Sequence, residues 1–331
     1  MTIGITGPEQ RAPRRNAVVR FIIAATVVGI CLILLKLVSD FLVDWLWFSS
    51  IGYLQVFLTT IGAKAAVFFA VLTATAIILL LNGLLAARFA RRGSTQLVAD
   101  SEWTPAGNAP PSDLVEFMRD RLPWHRVIVG VAGLLALLVA AGEISNWGLF
   151  LRFFYHVPYG ANDPLYDKDI GFYLFLLPAY IVLKNWMLLA LFLSVFLAGT
   201  IYWVHGDIEY DAKHRSMSPA AIAHGSVLLG FFFMVKAWSY GLDRYLLLYG
   251  DNGVVVGASY TSIHVELPVL WLLTGLSIAA AFAAWANLRV RTYWLPGAAT
   301  VLVFGGTFLL SGVVPVLFQR VFVKPDELLL E

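Results

Sequence analysis

The chain has 331 residues, of which 60% are hydrophobic and 13% charged, with a mean hydropathy of +0.78. A soluble domain carries about 25% charged residues, so these values exclude an ordinary water-solvated protein. The net charge of +2 is too small to indicate a polyanionic partner, and the informative quantity is where the charges fall.

Residues 1–17, polar with Pro and Gly, read as a disordered tail on the cytoplasmic side. A helix needs roughly 20 apolar residues to cross a bilayer. Seven segments come near or exceed that length: 21–38, 56–85, 127–141, 172–204, 225–238, 267–285 and 295–317. The predicted fold is therefore an all-α integral membrane protein, a bundle of about seven transmembrane helices within residues 18–318. Periodic strand alternation with turn signals is missing, which argues against a β-barrel. The first span has a basic leader, but Lys36-Leu37-Val38-Ser39-Asp40 after it offers no small-residue cleavage pattern, so it reads as an uncleaved anchor. Cys31 is the only cysteine, which excludes an intrachain disulfide and a cysteine-based metal site.

Asp44-Trp45-Leu46-Trp47-Phe48 follows the first span and suits the head-group layer, where tryptophan is partly dry and partly wet. The segment 88–125 is Arg-rich and then Pro-rich. It contains a predicted amphipathic helix at about 112–122, with Ser112 as its cap and Leu114, Val115, Phe117 and Met118 on one side. Residues 142–171 are aromatic, then polar through Asn162-Asp163-Pro164. In span six, Gly275, Ala279 and Ala283 recur every four residues, a spacing that lets helices approach within one chain or between copies. Val254-Val255-Val256 is strand-like. Phe318 to Val323 alternates apolar and polar residues and predicts a strand or extended linker, so 319–331 reads as the start of an extracytoplasmic segment.

Basic residues divide unevenly between the two sides. Arg11, Arg14, Arg15, Arg20, Arg88, Arg91, Arg92, Arg119, Arg121, Arg126, Lys213, Arg215, Arg289 and Arg291 lie on one side. Arg152, Lys168, Arg244, Arg320 and Lys324 lie on the other. Basic loops stay in the cytoplasm, which predicts a cytoplasmic N-terminus and an extracytoplasmic C-terminus. The clusters are short and flank apolar spans, so topology and anionic lipid explain them without nucleic acid.

Four lysines fall within spans: Lys36, Lys64, Lys184 and Lys236. All are predicted in the outer half, with Asp40, Asp44, Glu143, Asp243 and Glu266 nearby. Ionisable groups at that depth are costly unless paired, snorkelling or functional. Two readings stay open: a polar crevice for an anionic head group or ion, or structural ion pairs. Lys184 is the best functional candidate if its helix begins at Phe172. Asp163, Asp167 and Asp169 are weak metal candidates, because a full calcium loop is absent; a turn is preferred. His205, Asp207, Glu209, Asp211 and His214 lack a metal-protease spacing and read as a solvated loop. No phosphate-binding loop, serine elbow or cysteine nucleophile occurs, so neither an enzyme nor a cofactor is indicated.

Asp44 to Phe48 with Gly52-Tyr53, Asp163-Pro164 through Asp169-Ile170-Gly171-Phe172-Tyr173, Leu242-Asp243-Arg244-Tyr245, Gly257 to Thr261 and Val323-Lys324-Pro325-Asp326-Glu327-Leu328 occur in an order that resembles the bacterial membrane-protein family numbered 0182 in the UPF series. The resemblance implies an integral plasma-membrane protein with about seven spans followed by a large extracytoplasmic domain, and supplies no catalytic residues. Such proteins continue beyond the Lys324-Pro325 segment, just after which this chain stops, so the chain is expected to be a fragment, an expressed portion or a split gene product holding only the membrane domain. The expected function is a non-enzymatic anchor that positions an extracytoplasmic domain or partner in an envelope assembly; the alternative is a transporter or lipid-handling protein. The expected partners are the lipid bilayer and an envelope protein or a second copy.

Overall fold

The computed structural model describes residues 14–99, 122–210, 215–250 and 257–326. The helices in chain order are α1 (Arg14–Ser50), α2 (Leu54–Ala99), α3 (Trp124–Glu143), α4 (Trp147–Phe154), α5 (Leu177–Val204), α6 (Pro219–Leu246), α7 (Leu267–Val290), α8 (Trp294–Gly306) and α9 (Val314–Phe318). The hairpin of β1 (Ile208–Tyr210) and β2 (Arg215–Met217) is antiparallel, with Glu209 opposite Ser216. Among the described residues, seven helical stretches are long and apolar enough to cross a membrane: Val19–Ser50, Leu54–Ala90, Trp124–Phe154, Phe172–Val204, Pro219–Tyr249, Ser262–Val290 and Trp294–Val323. Their number is the one expected from the apolar segments. Most run past their apolar windows because helix hydrogen bonding continues into the flanking polar residues.

Residues 1–63 and 64–331 form two compact units, with the division inside α2. In the first, Phe41, Trp45 and Phe48 of α1 gather around Phe57 of α2, with ring centroids 5.6, 6.1 and 5.5 Å away. Aromatic packing of this kind holds the turn between the two helices. The helix begins at Arg14, inside the segment expected to be a tail; residues 1–13 lie outside the described residues, as do the predicted amphipathic segment up to Arg121 and the valines at 254–256.

In the second unit, α2, α3, α5 and α6 share a core containing Leu79, Ala86, Ile128, Ala132, Leu197, Ile201 and Leu228. Helix α6 packs against both α5 and α7, and α8 lies on α7. Gly230 makes the α6–α7 approach possible: a Cβ there would collide with the Trp285 indole. The buried face of α7 is Leu273, Ser277, Ala280, Ala281, Ala284 and Asn287. The stripe predicted to make such contacts, Gly275, Ala279 and Ala283, is offset from that face: Gly275 and Ala279 are exposed and Gly275 has open space where its side chain would be. Four-residue spacing alone does not select between the two faces. Ser277 with Ala280, Ala281 and Ala284, three, four and seven residues on, provides the inward one.

Among the described residues, four wide helical turns with i→i+5 hydrogen bonds interrupt these helices: Phe172–Leu176, Ser262–Glu266, Thr307–Val313 and Gln319–Val323. Each ends two residues before a proline: Pro178, Pro268, Pro315 or Pro325. A proline has no N–H, and its ring collides with the carbonyl four residues back. Widening the preceding turn moves that carbonyl aside while the residue before the proline keeps a donor bond, as Leu177 N–H does to Phe172 O. Helices thus pass their prolines without breaking.

The last of these turns corrects the reading of the chain's end. Phe318 to Val323 is helical, not a strand. Phe318 stacks on Phe322 at 5.1 Å, four residues on, and Val323 is buried. Alternation over six residues fits an i, i+4 aromatic pair as well as a strand, and the helix arriving from Val314 decides the outcome.

Candidate functional site

The chain enters α5 through a loop organised by two aspartates. Asp163, buried with 9% exposure, accepts N–H bonds from Leu165 (2.9 Å), Tyr166 (2.7 Å) and Lys168 (2.9 Å), and the Tyr173 hydroxyl donates to it at 2.8 Å. Burial pushes its carboxyl up, but these donors together hold it below the usual carboxylate range. Asp169 takes N–H bonds from Tyr159, Gly160 and Gly171 at 3.0, 2.9 and 2.6 Å, and the first two lower its pKa most. A Cβ on Gly171 would sit 2.6 Å from Asp169 Oδ1, so that close approach needs glycine. Asp167, at φ 52°, accepts from Asn162 Nδ2 at 2.9 Å. The three weak metal candidates thus each serve separate donors, an arrangement that makes a turn. No group of three or more His, Cys, Asp or Glu suited to a metal ion occurs among the described residues.

Helix α5 continues directly from the wide turn at Phe172, so Lys184 lies about 18 Å along it at 1.5 Å per residue. Lys184 is buried, and its Nζ is 3.6 Å from Asp243 Oδ1 on α6. Ser239 Oγ donates to the other Asp243 oxygen at 3.4 Å. Lys236, one helical face with Asp243, rests 4.5 Å from the Tyr240 ring centroid and interacts electrostatically with both Asp243 and Lys184. Thr307 gives its hydrogen to Val303 O, so the Tyr240 hydroxyl is the donor in its short bond to Thr307. Arg244 lies with its guanidinium carbon 4.8 Å from the Tyr245 ring and 4.4 Å from the Trp271 ring of α7. Its Nε is buried without a partner. Tyr166 donates to Arg244 O at 2.8 Å, tying the loop to the cluster, and burial pushes that phenol's pKa up.

Of the nine crevice candidates, Lys184, Lys236 and Asp243 come together. Lys64 is exposed and lies 5.7 Å from the Trp147 ring. Glu143 accepts from Asn146 Nδ2 at 2.7 Å, and Glu266 is half-buried in its wide turn. Lys36, Asp40 and Asp44 are exposed on α1 in the first unit, and Lys36 has no carboxylate within ion-pair distance among the described residues.

Sequence reading missed Arg244 as part of this site, having assigned it to a loop. It also missed a neutral network nearer the other end of α5. His224 Nε2 is 3.2 Å from Asn82 Oδ1, and its Nδ1 is 3.1 Å from the Tyr202 hydroxyl. Asn82 Nδ2 donates to Ile78 O at 2.7 Å and reaches Ser194 Oγ at 3.5 Å. The pattern closes if the imidazole carries its hydrogen on Nε2 and accepts from Tyr202. The available signal was polar residues standing singly inside apolar runs, at Asn82, Ser194 and His224. Beyond α5, the segment expected to be a solvated loop forms the β1–β2 hairpin, and Asp207 is buried with 5% exposure. Burial pushes the Asp207 carboxyl up, with Ser218 and His205 opposing. Asp211 and His214 lie outside the described residues.

A UPF0182 protein of Bradyrhizobium diazoefficiens is 69% identical over 331 residues, which is 100% of this chain and 36% of the relative. One of Cupriavidus necator is 49% identical over 323 residues, 97% of this chain and 34% of the relative. One of Nocardioides sp. is 31% identical over 323 residues, again 97% of this chain and 31% of the relative. The chain thus spans about a third of the length of these relatives. No solved structure matches it. The sequence model described as "Uncharacterised protein family (UPF0182)" matches residues 21–331, and the chain belongs to that family.

Proposed function

We propose that this chain is a non-enzymatic, multi-pass domain of the bacterial plasma membrane that anchors and positions an extracytoplasmic domain or partner in an envelope assembly. The observation that carries the reading is how the intramembrane charges are disposed. Lys64, Glu143 and the Lys184–Asp243 pair each meet a local partner at separate points, as helix-locking groups do. The relatives' extra length, roughly twice that of the matched part, gives such an anchor something to carry. The lipid-handling alternative is favoured by one observation, the cations gathered around Asp243.

In the proposed topology the N-terminus is cytoplasmic and the C-terminus extracytoplasmic, following the fourteen-to-five division of basic residues. In a Cys31→Ser background, single cysteines at Ala161 and Asn252 are expected to react with impermeant reagent from outside, and those at Ser94 and Ala212 to be protected. Reversed labelling of either pair of adjacent loops would overturn the arrangement. For the anchoring role, the chain reconstituted in liposomes is expected to pass no phosphate, chloride or proton flux above that of empty liposomes. A flux abolished by Lys184→Gln would replace the anchor with a transporter.

A further inference from the structure

Helix α4 lies across the bundle instead of extending it. Helix α3 has 20 residues, which at 1.5 Å each cover about 30 Å, the thickness of the hydrocarbon layer. A tight 3₁₀ turn at Ile144–Asn146 follows, and contacts at both ends of α4 give its direction. The Trp186 indole N–H donates to Thr75 Oγ1 at 2.9 Å, which sets a common level on α2 and α5. Further along both helices Asn82 Nδ2 reaches Ser194 Oγ at 3.5 Å, so the two run parallel. From the Thr75–Trp186 level, Lys64 lies 11 residues up α2 and Tyr180 six residues up α5, heights of about 16 and 9 Å. Trp147, the first residue of α4, has the Lys64 amine 5.7 Å from its ring, and Phe153 near the other end packs on the Tyr180 ring at 5.6 Å. The long lysine side chain spans the difference in height. An upright continuation of α3 would raise Phe153 about 9 Å above Trp147. Phe153 instead sits no higher.

The residues of α4 suit that placement. Trp147, Phe150, Leu151 and Phe154 recur at i, i+3, i+4 and i+7, an apolar stripe with no fully buried member. Arg152 falls on the opposite side of the helix and is exposed. Phe154 and the following Tyr155 are 74% and 80% exposed. From Ile144 to Asn162 there is no acidic residue. An apolar aromatic stripe backed by a cation matches the layer where acyl chains give way to phosphates. We infer that α4 is an interfacial helix that docks on lipid head groups at the end of the bundle opposite Trp124, its stripe toward the acyl chains and Arg152 toward the phosphates. This surface continues the lipid-facing side of α3, where Leu134, Leu137 and Leu138 are exposed. It rests on the chain being a multi-pass membrane protein, and it holds for an anchor and a lipid-handling protein alike.

The test uses the intact chain in liposomes, with single nitroxide-labelled cysteines in a Cys31→Ser background at the exposed positions Leu138, Ser145, Arg152 and Phe154. Collisions with oxygen, which concentrates among acyl chains, and with a water-soluble nickel chelate report depth. Ser145→Cys and Arg152→Cys, seven residues apart, are expected at equal depth to within one helical turn, about 5 Å. Phe154→Cys should lie deeper than Arg152→Cys, and Leu138→Cys deepest of all. An upright α4 would place Arg152→Cys about 10 Å further out than Ser145→Cys, and Phe154→Cys further still; that gradient overturns the inference alone. Phe154→Cys screened from both reagents would mean that protein covers the stripe, and overturns it too. Water-like exposure at Leu138→Cys would overturn the membrane reading itself and the inference with it.

Discussion

The loops at the two ends of α5 each bury one aspartate and treat it in opposite ways. Before the helix, Asp163 collects three backbone N–H groups and the Tyr173 hydroxyl, and its carboxyl is held low. After the helix, Asp207 is buried slightly more, yet its Oδ2 has no hydrogen-bond partner among the described residues and its carboxyl is pushed up. Solvent exposure is nearly the same in both, but the Asp207 carboxyl has more protein packed around it and fewer donors, so exposure alone does not decide whether a carboxylate stabilises its surroundings. Depth and donors together do. A charged oxygen that exchanges water for several N–H groups loses little, whereas one that exchanges water for apolar neighbours loses its solvation outright.

The comparison breaks most visibly at Asp163. Asp163→Ala removes the acceptor of four donors, three of them backbone groups that define the turn, and is expected to cost on the order of 3 kcal/mol. Thermal unfolding of the intact chain in detergent measures this, and a loss under about 1 kcal/mol would mean that water replaces the carboxylate without penalty. Acid is the milder form of the same change. Asp163 and Asp169 have lowered folded values, so the stability they contribute is present above the ordinary carboxylate pKa and lost as pH falls through the lowered values. Hydrogen exchange in residues 157–171 should therefore accelerate below about pH 4, while the core of α5 stays protected. Uniform acceleration along α5 would remove the special role of the loop. Tyr173→Phe subtracts a single donor and is expected to cost about 1 kcal/mol, with the Tyr249 hydroxyl bond to Tyr173 O unchanged.

How much of this was legible depends on the distance over which each feature acts. Span number follows from local apolar length and could be read directly. The prolines after the wide turns were visible at positions 178, 268, 315 and 325, but the turns themselves are a backbone response to a missing N–H, which hydropathy does not register. Lys184 and Asp243 were both candidates. Their meeting depends on α5 lying against α6, a packing choice made by apolar faces elsewhere. Arg244 was assigned to a loop because the apolar window ended at Trp238, whereas α6 runs on to Leu246. His224 and Asn82 were passed over because a neutral polar residue leaves no charge signal. Asp207 was given to water because its neighbours are polar, although the hairpin that buries it requires pairing with a strand beyond Asp211–His214.

The smallest effect is the one that separates the two aspartates most sharply. Asp207→Asn preserves a side-chain partner for Ser218 and removes a charge whose burial Ser218 and His205 only partly offset. Because the folded value of Asp207 is raised, its contribution is most favourable below the ordinary carboxylate pKa and declines as pH rises through the raised value. The substitution is therefore expected to be neutral or stabilising by up to about 1 kcal/mol near pH 8, and to lose that gain near pH 4. Asp163→Asn, measured the same way, should run in the opposite direction, destabilising at pH 8 and converging on the unmodified chain in acid. Thermal unfolding of both variants across about pH 2 to 8 gives two curves of opposite slope if donors govern the outcome, Asp163→Asn changing below the ordinary carboxylate pKa and Asp207→Asn above it. Parallel curves would return the explanation to burial alone, and with it the expectation that both loops tolerate the loss of charge equally.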